Sequence, residues 1–173
     1  MLNALRQRAE QRRIADALLA GLTSRARAPA FFEAFGVADT IDGRFDILVL
    51  HAWLVLDRLV ERSAQKLSQM LVDGLFVQFD EALRQQGAGD MGMTRRMTKM
   101  ADAFYGRLKA YRAAANSEEL AAALLRNVYR GAADRIEQAD ALAIYAMAAR
   151  ERIARADLAA GELVFGPLKV IRS

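Results

Sequence analysis

Residues 44–62 form a stretch that would be apolar on nearly every side of a helix. Its apolar members are Phe45, Ile47, Leu48, Val49, Leu50, Trp53, Leu54, Val55, Leu56 and Leu59. A helix with apolar side chains all round has to be buried in a core or a membrane. The longest apolar run, Ile47–Leu56, contains His51 and is shorter than the ~20 residues that span a bilayer. The stretch therefore predicts the central buried helix of a globular fold.

The rest of the chain favours further helices packed around that stretch. Strand-like alternation is missing over any useful length, and only two prolines occur in 173 residues. We predict an all-α, single-domain helical bundle of about seven helices with a central buried helix. The predicted helices are 2–22, 30–35, 44–62, 64–86, 94–115, 116–130 and 134–157. Within the single domain 1–173, we expect a basic N-terminal helix (1–25), a core (26–158) and a C-terminal tail (159–173).

Local signals predict where these helices begin and end. Gly21 is expected to end the first helix, and Gly43, with positive φ available to it, to close a turn before the third. Asn116 and Glu119 have the spacing of a capping-box pair. Leu5 in the first helix and Ile136 in the last are expected to face inward.

Composition limits the chemistry and leaves the choice of partner open. The chain has no cysteine, which removes disulfides and thiolate sites, and its formal net charge is +4. A basic protein of this kind can associate with ribosomal RNA, anionic lipid or acidic protein. We expect a cytoplasmic protein without a transmembrane segment, with weak peripheral contact of the basic N-terminal helix at an anionic membrane surface left open.

His51 and the carboxylates are the residues to weigh for catalysis or metal binding. The helical neighbours of His51 are apolar, so a core histidine hydrogen-bonded to another helix is the favoured reading. The acidic residues Asp39, Asp42 and Asp46 cluster near the start of the central helix, where capping and solvation account for them. No metal or cofactor is expected.

The predicted helix at 94–115 combines a basic face with an apolar one. The apolar stripe is Met93, Met97, Met100, Phe104, Leu108 and Tyr111, and the basic residues are Arg95, Arg96, Lys99, Arg107, Lys109 and Arg112, with only Asp102 as a counter-charge. A methionine-containing core stripe with a solvated basic face is one reading. A basic helix that grasps an acidic or RNA partner is the other.

Two long segments resemble the ubiquinol–cytochrome c chaperone family. They are Ala38–Leu59 (ADTIDGRFDILVLHAWLVLDRL) and Gly87–Tyr111 (GAGDMGMTRRMTKMADAFYGRLKAY), and the likeness extends from about Ala26 to Tyr129. The resemblance implies a non-enzymatic assembly factor for respiratory complex III. Its implied client is nascent cytochrome b, held before haem loading and subunit assembly, with the ribosome near the exit tunnel as a further contact.

The resemblance and the basic face together supply the candidate client- or partner-binding residues. They are Asp39, Gly43, Arg44, His51, Asp80, Arg84, Gly87, Asp90, Arg95, Arg96, Lys99, Phe104, Tyr105, Gly106 and Tyr111. Gly106 costs about 1 kcal/mol relative to alanine inside a helix, which suggests close packing or partner approach at that point.

Two other functions stay open at the level of sequence. A basic helical adaptor that binds the ribosome or RNA would show affinity that falls steeply with salt. A helical enzyme would need His51 to act with a carboxylate, and the apolar surroundings of that residue disfavour it.

Overall fold

The central helix predicted from the apolar stretch is present. In a computed structural model that describes residues 2–85 and 90–168, this helix spans Ile41–Glu61, and thirteen of its 21 residues are buried. Trp53 is only 1% exposed and Ile47 is fully buried. Burial of apolar side chains on all sides is what holds this helix in the middle of the fold.

The described residues form an all-α fold, as predicted. The α-helices are α1 (Leu2–Ala26), α2 (Ala30–Glu33), α3 (Ile41–Glu61), α4 (Gln65–Gln85), α5 (Asp90–Ala113), α6 (Ser117–Asn127) and α7 (Ile136–Arg155), with 3₁₀ turns at Ala133–Arg135 and Leu158–Ala160. α2 is a single turn, so six longer helices surround or form the core within the described ranges. α1, α4, α5 and α7 pack on α3, and α6 bridges α5 and α7. The proposed subdivision of the single domain stays a prediction.

The turn before α3 is tighter than the sequence suggested. Thr40 caps the helix by accepting a hydrogen bond from the Gly43 backbone N–H, at 3.1 Å. α3 therefore begins at Ile41, and the prediction of positive φ at Gly43 was wrong, since that residue is helical. A Cβ at Gly43 would collide with the Ala38 carbonyl oxygen, so glycine is required here for close approach.

α1 continues past the glycine that was expected to end it. It runs to Ala26, because Leu22 and Ala26 are buried and Gly21 lets the C-terminal segment approach: a Cβ there would lie 3.1 Å from Leu163. Two inward predictions were also wrong, since Leu5 is 59% exposed and Ile136 is 51% exposed. Both lie in the first turns of their helices, where few neighbours cover them.

The capping-box pair was predicted correctly, and α2 docks on the core through its aromatic side chains. The Asn116 side chain accepts a hydrogen bond from the Glu119 N–H at 2.9 Å. Phe31 and Phe35 are buried, and the Phe31 ring lies 5.3 Å from the Tyr145 ring of α7.

Within the described ranges, none of the helices has the length and apolar character needed to cross a membrane.

Candidate binding surface on helices α4 and α5

An apolar groove runs between α4 and α5 at the C-terminal end of α3. Its volume is about 590 Å³. It is lined by Leu56, Val60, Gln65, Ser68, Gln69, Val72, Tyr105, Leu108, Lys109, Arg112 and Ala113. Val60 is 50% exposed and Tyr105 is 53% exposed, so two large apolar side chains face solvent at this place. A groove of this kind can accept an apolar partner segment.

The exposed tyrosine is held in position by neighbouring rings. The Phe76 ring of α4 stacks on the Tyr105 ring with centroids 6.1 Å apart and planes 24° apart. The buried Phe104 ring contacts the same tyrosine edge-on at 5.2 Å. These contacts fix the tyrosine on the groove wall, so its exposed surface is preorganised for a partner.

Asp57 of α3 binds the arginine side chain at the edge of the groove, Arg112. Its carboxylate accepts a hydrogen bond from Arg112 Nε of α5 at 2.7 Å and one from Arg150 Nη2 of α7 at 3.1 Å. The Arg150 guanidinium also lies over the Trp53 ring, 5.7 Å from its centroid. One mostly buried carboxylate thus joins three helices and orients Arg112 at the edge of the groove.

Asp46 makes a second junction of the same kind near the start of α3. It is fully buried, with Arg107 Nη2 of α5 at 2.8 Å from Oδ1 and Arg130 Nη1 at 2.8 Å from Oδ2. Burial raises the pKa of the Asp46 carboxyl to about 6, because desolvation outweighs the attraction of Arg107 and Arg130.

The two junctions correct two sequence predictions. Asp46 is not a solvated capping residue. Arg107 and Arg112 do not lack counter-charges, because α3 supplies them across a long separation in sequence.

His51 lies in the core, as the favoured reading predicted. Its Nδ1 is 2.7 Å from the Ile47 carbonyl oxygen and its Nε2 is 2.8 Å from the Tyr145 hydroxyl. The first contact requires a proton on Nδ1, so the Tyr145 hydroxyl donates to Nε2 of a neutral ring. The pKa of His51 is lowered to about 4, mainly because burial disfavours the charged ring; the Ile47 hydrogen bond opposes this shift and the nearby positive charge of Arg25 adds to it. This arrangement serves packing between α3 and α7.

The structure distributes the candidate residues over several places. His51, Phe104 and Tyr111 are in the core, and Gly43 is a buried residue in the otherwise exposed first turn of α3. Asp39–Arg44 and Asp80–Arg84 form exposed or half-exposed ion pairs, each at 2.7 Å. Arg95, Arg96 and Lys99 are exposed on α5. Of the candidates, Tyr105 lines the apolar groove. Gly87 and the Asp90 side chain lie outside what the structure describes.

Gly106 is exposed, and a Cβ added to it would meet nothing within 4 Å. Close packing inside the chain therefore does not explain this glycine. Approach of a partner stays as the prediction for it.

Sequence reasoning missed two other residues of the groove wall. Val60 and Val72 line the groove, and only their apolar character on otherwise polar helix faces could have marked them. Asp57 was missed because its arginine partners lie 55 and 93 residues away in the chain.

The described residues thus form an all-α protein with an accessible apolar groove. The family model described as "Ubiquinol-cytochrome C chaperone" matches residues 33–165. The chain therefore belongs to the ubiquinol–cytochrome c chaperone family, which confirms the resemblance seen in its sequence.

A solved structure gives the same result. The crystal structure of the Cbp3 homolog from Brucella abortus matches with a TM-score of 0.86 and 32% sequence identity, covering 97% of this chain and 98% of the other. Among curated proteins, none matches this chain.

Proposed function

We propose that this chaperone binds newly made cytochrome b and holds it before haem loading and subunit assembly. The family and the similarity to a Cbp3 homologue support a chaperone of the ubiquinol–cytochrome c pathway. The groove between α4 and α5 carries the more specific part of the proposal, because it is an accessible apolar surface with preorganised walls.

The chemistry of the groove suits a segment of a membrane protein. A newly made membrane protein exposes apolar helix surface until its partners cover it. Val60, Val72 and Leu108 offer such a helix an apolar surface, and Tyr105 adds an amphipathic ring at the wall. The charged ends of Lys109 and Arg112 lie at the edge of the groove, where they keep it hydrated when no client is bound.

Substitutions in the groove test the proposal. Val60→Asp and Tyr105→Asp place a charge where the client would bind, and co-purification of tagged cytochrome b should fall by tenfold or more, at about 1.4 kcal/mol per tenfold. Ile144→Asp on α7 is the matched control, since Ile144 is 52% exposed and does not line the groove. Val60 and Ile144 are half-exposed, so their substitution should change the free energy of unfolding by only about 0.5 kcal/mol. Tyr105→Asp also loses the ring contacts with Phe76 and Phe104 and should lower it by about 1 kcal/mol more.

A cellular readout should follow the binding result. A strain that carries only a groove variant should lose the cytochrome b signal in reduced-minus-oxidised haem spectra of its membranes, whereas the Ile144→Asp strain should retain it. Normal cytochrome b in the groove variants, under conditions that demand complex III, would contradict the assignment of the groove.

The proposed timing has its own test. Cytochrome b variants that lack haem-ligating histidines should co-purify with the chaperone at least as well as the parent. Capture of only the haem-loaded form would contradict binding before haem insertion.

The setting of this activity is also part of the proposal. We place the chaperone in the cytoplasm, at or near the inner face of the membrane, with the ribosomal exit region as a contact for client capture. The formal net charge of +4 and the exposed Arg95 favour a polyanionic contact of this kind. Sedimentation with translating ribosomes that carry a cytochrome b nascent chain, against ribosomes without it, would test this contact.

A further inference from the structure

A second cavity lies on the other side of α5 from the apolar groove. It is formed by the start of α3, the middle of α5 and the end of α6, and its volume is about 400 Å³. We refer to it as the basic cleft, because five cationic side chains line it: Arg96, Lys99, Arg107, Arg126 and Arg130. Asp42 and Asp46 are the carboxylates on its walls, so cations exceed anions by three.

The cations of the basic cleft are of two kinds. Arg107 and Arg130 are positioned by the buried Asp46, and their charges are partly balanced there. Arg96, Lys99 and Arg126 are exposed and have no ion-pair partner among the residues that the structure describes. Several like charges around a concave, low-dielectric wall create a positive potential that attracts an anion.

The remaining wall of the basic cleft is apolar. Ile41, Phe45, Leu83 and Met100 line it, and Ile41 is 54% exposed. The Phe45 ring is covered by the Arg107 guanidinium, 5.4 Å from its centroid, and contacts the Phe79 ring edge-on. A nucleobase would need a free aromatic face for stacking, so this wall favours an aliphatic chain over a nucleic acid.

We propose that the basic cleft binds the phosphate group of an anionic phospholipid, with the start of an acyl chain against the apolar wall. Arginine guanidinium groups match the geometry of phosphate oxygens, and the exposed Arg96 and Arg126, with Lys99, can turn toward a phosphate. Arg107 and Arg130, held by Asp46, add positive charge at the wall of the cleft. Such a site would tether the chaperone to the membrane surface by a face separate from the groove, so it goes beyond the client-binding function.

Vesicle binding by matched charge variants tests this site. The cleft variant is Arg96→Ala/Lys99→Ala/Arg126→Ala, and the control is Arg6→Ala/Arg8→Ala/Arg12→Ala on α1, which removes three exposed cations that do not line the cleft. Co-sedimentation would use phosphatidylcholine vesicles with and without phosphatidylglycerol. The parent chain and the control should bind the anionic vesicles, and the cleft variant should bind about 100-fold more weakly.

Two soluble probes identify the source of the phosphate. A short-chain phosphatidylglycerol below its micellar concentration should bind the parent chain and not the cleft variant, and inorganic pyrophosphate should bind more weakly with the same pattern. Pyrophosphate binding without lipid binding would support the phosphate site and assign it to a soluble ligand.

Three outcomes would overturn the proposal. Equal loss of vesicle binding in the cleft and α1 variants would show a non-specific charge effect. Loss only in the α1 variant would assign membrane contact to the N-terminal helix. Binding of single-stranded RNA alone, lost in the cleft variant, would make the cleft a nucleic-acid site.

Circular dichroism of each variant checks that the fold is intact. The single substitution Lys99→Glu provides a milder test, because it changes one exposed residue.

Discussion

Replacing His51 by glutamine should remove a pH dependence that is built into the core. In the folded chain the neutral ring receives a hydrogen bond from the Tyr145 hydroxyl and donates one to the Ile47 carbonyl. A proton on Nε2 would break the first of these bonds. It would also place a buried positive charge near Arg25, which donates to the Tyr145 hydroxyl at 3.0 Å. The folded state therefore resists protonation of this histidine.

The size of the effect follows from the pKa of His51. That pKa is about 4 in the folded chain, against an ordinary value of 6.5. Above about pH 6.5 the ring is neutral in both states and its full contribution to stability is present. As the pH falls from about 6.5 to about 4, the unfolded state binds a proton that the folded state does not. The free energy of unfolding should therefore fall by about 3 kcal/mol through this residue.

Urea denaturation at a series of pH values, for the parent chain and His51→Gln, measures this contribution. Asp46 acts in the opposite direction, because its raised pKa of about 6 makes the folded state the better proton acceptor as the pH falls. The difference between the parent and the variant cancels that effect. The stability advantage of the parent should shrink by about 3 kcal/mol between about pH 7 and pH 4. A difference that stays constant over this range would refute the reasoning.

Three further substitutions have expected effects on the free energy of unfolding, all measurable by urea denaturation. Gly43→Ala should lower it by about 2 kcal/mol, because the new Cβ would collide with the Ala38 carbonyl; an unchanged value would contradict this. Gly106→Ala is the matched control and should raise it by about 1 kcal/mol, because open space surrounds the position; destabilisation would show that the glycine is needed for the fold. Asp57→Ala should lower it by about 2 kcal/mol, because a nearly buried carboxylate that joins two half-exposed arginines is lost; a change below about 0.5 kcal/mol would argue against the junction.

The features that could be predicted from sequence are those set by neighbours along the chain. The all-round apolar surface of α3 required burial wherever the helix was placed, and the periodic stripe of α5 required one face to be inward. Phe104 and Tyr111 of that stripe are fully buried, and Met97 and Met100 are half-buried against the core. Caps were predictable for the same reason, since Asn116 and Glu119 interact within one helical turn.

Helix ends were less predictable where a distant segment decides them. Gly21 looked like a helix terminator, yet the C-terminal segment packs on it and α1 continues to Ala26. Gly43 looked like a turn glycine, yet the carbonyl of Ala38 decides its role. In both cases glycine is present for a close approach that only the folded chain makes, and sequence spacing alone carries no sign of it.

The basic residues of α5 show why this difference matters for function. In the sequence they form one face with a single acidic neighbour, but the structure divides them. Arg107 and Arg112 are bound by the carboxylates of Asp46 and Asp57, so their loss would destabilise the packing of α3, α5 and α7. Arg96 and Lys99 line the basic cleft and have no ion-pair partner among the described residues, so their charges are available to a ligand. A loss of activity after substitution of Arg107 or Arg112 therefore reports on folding first, and only substitutions of the second pair can report on binding alone.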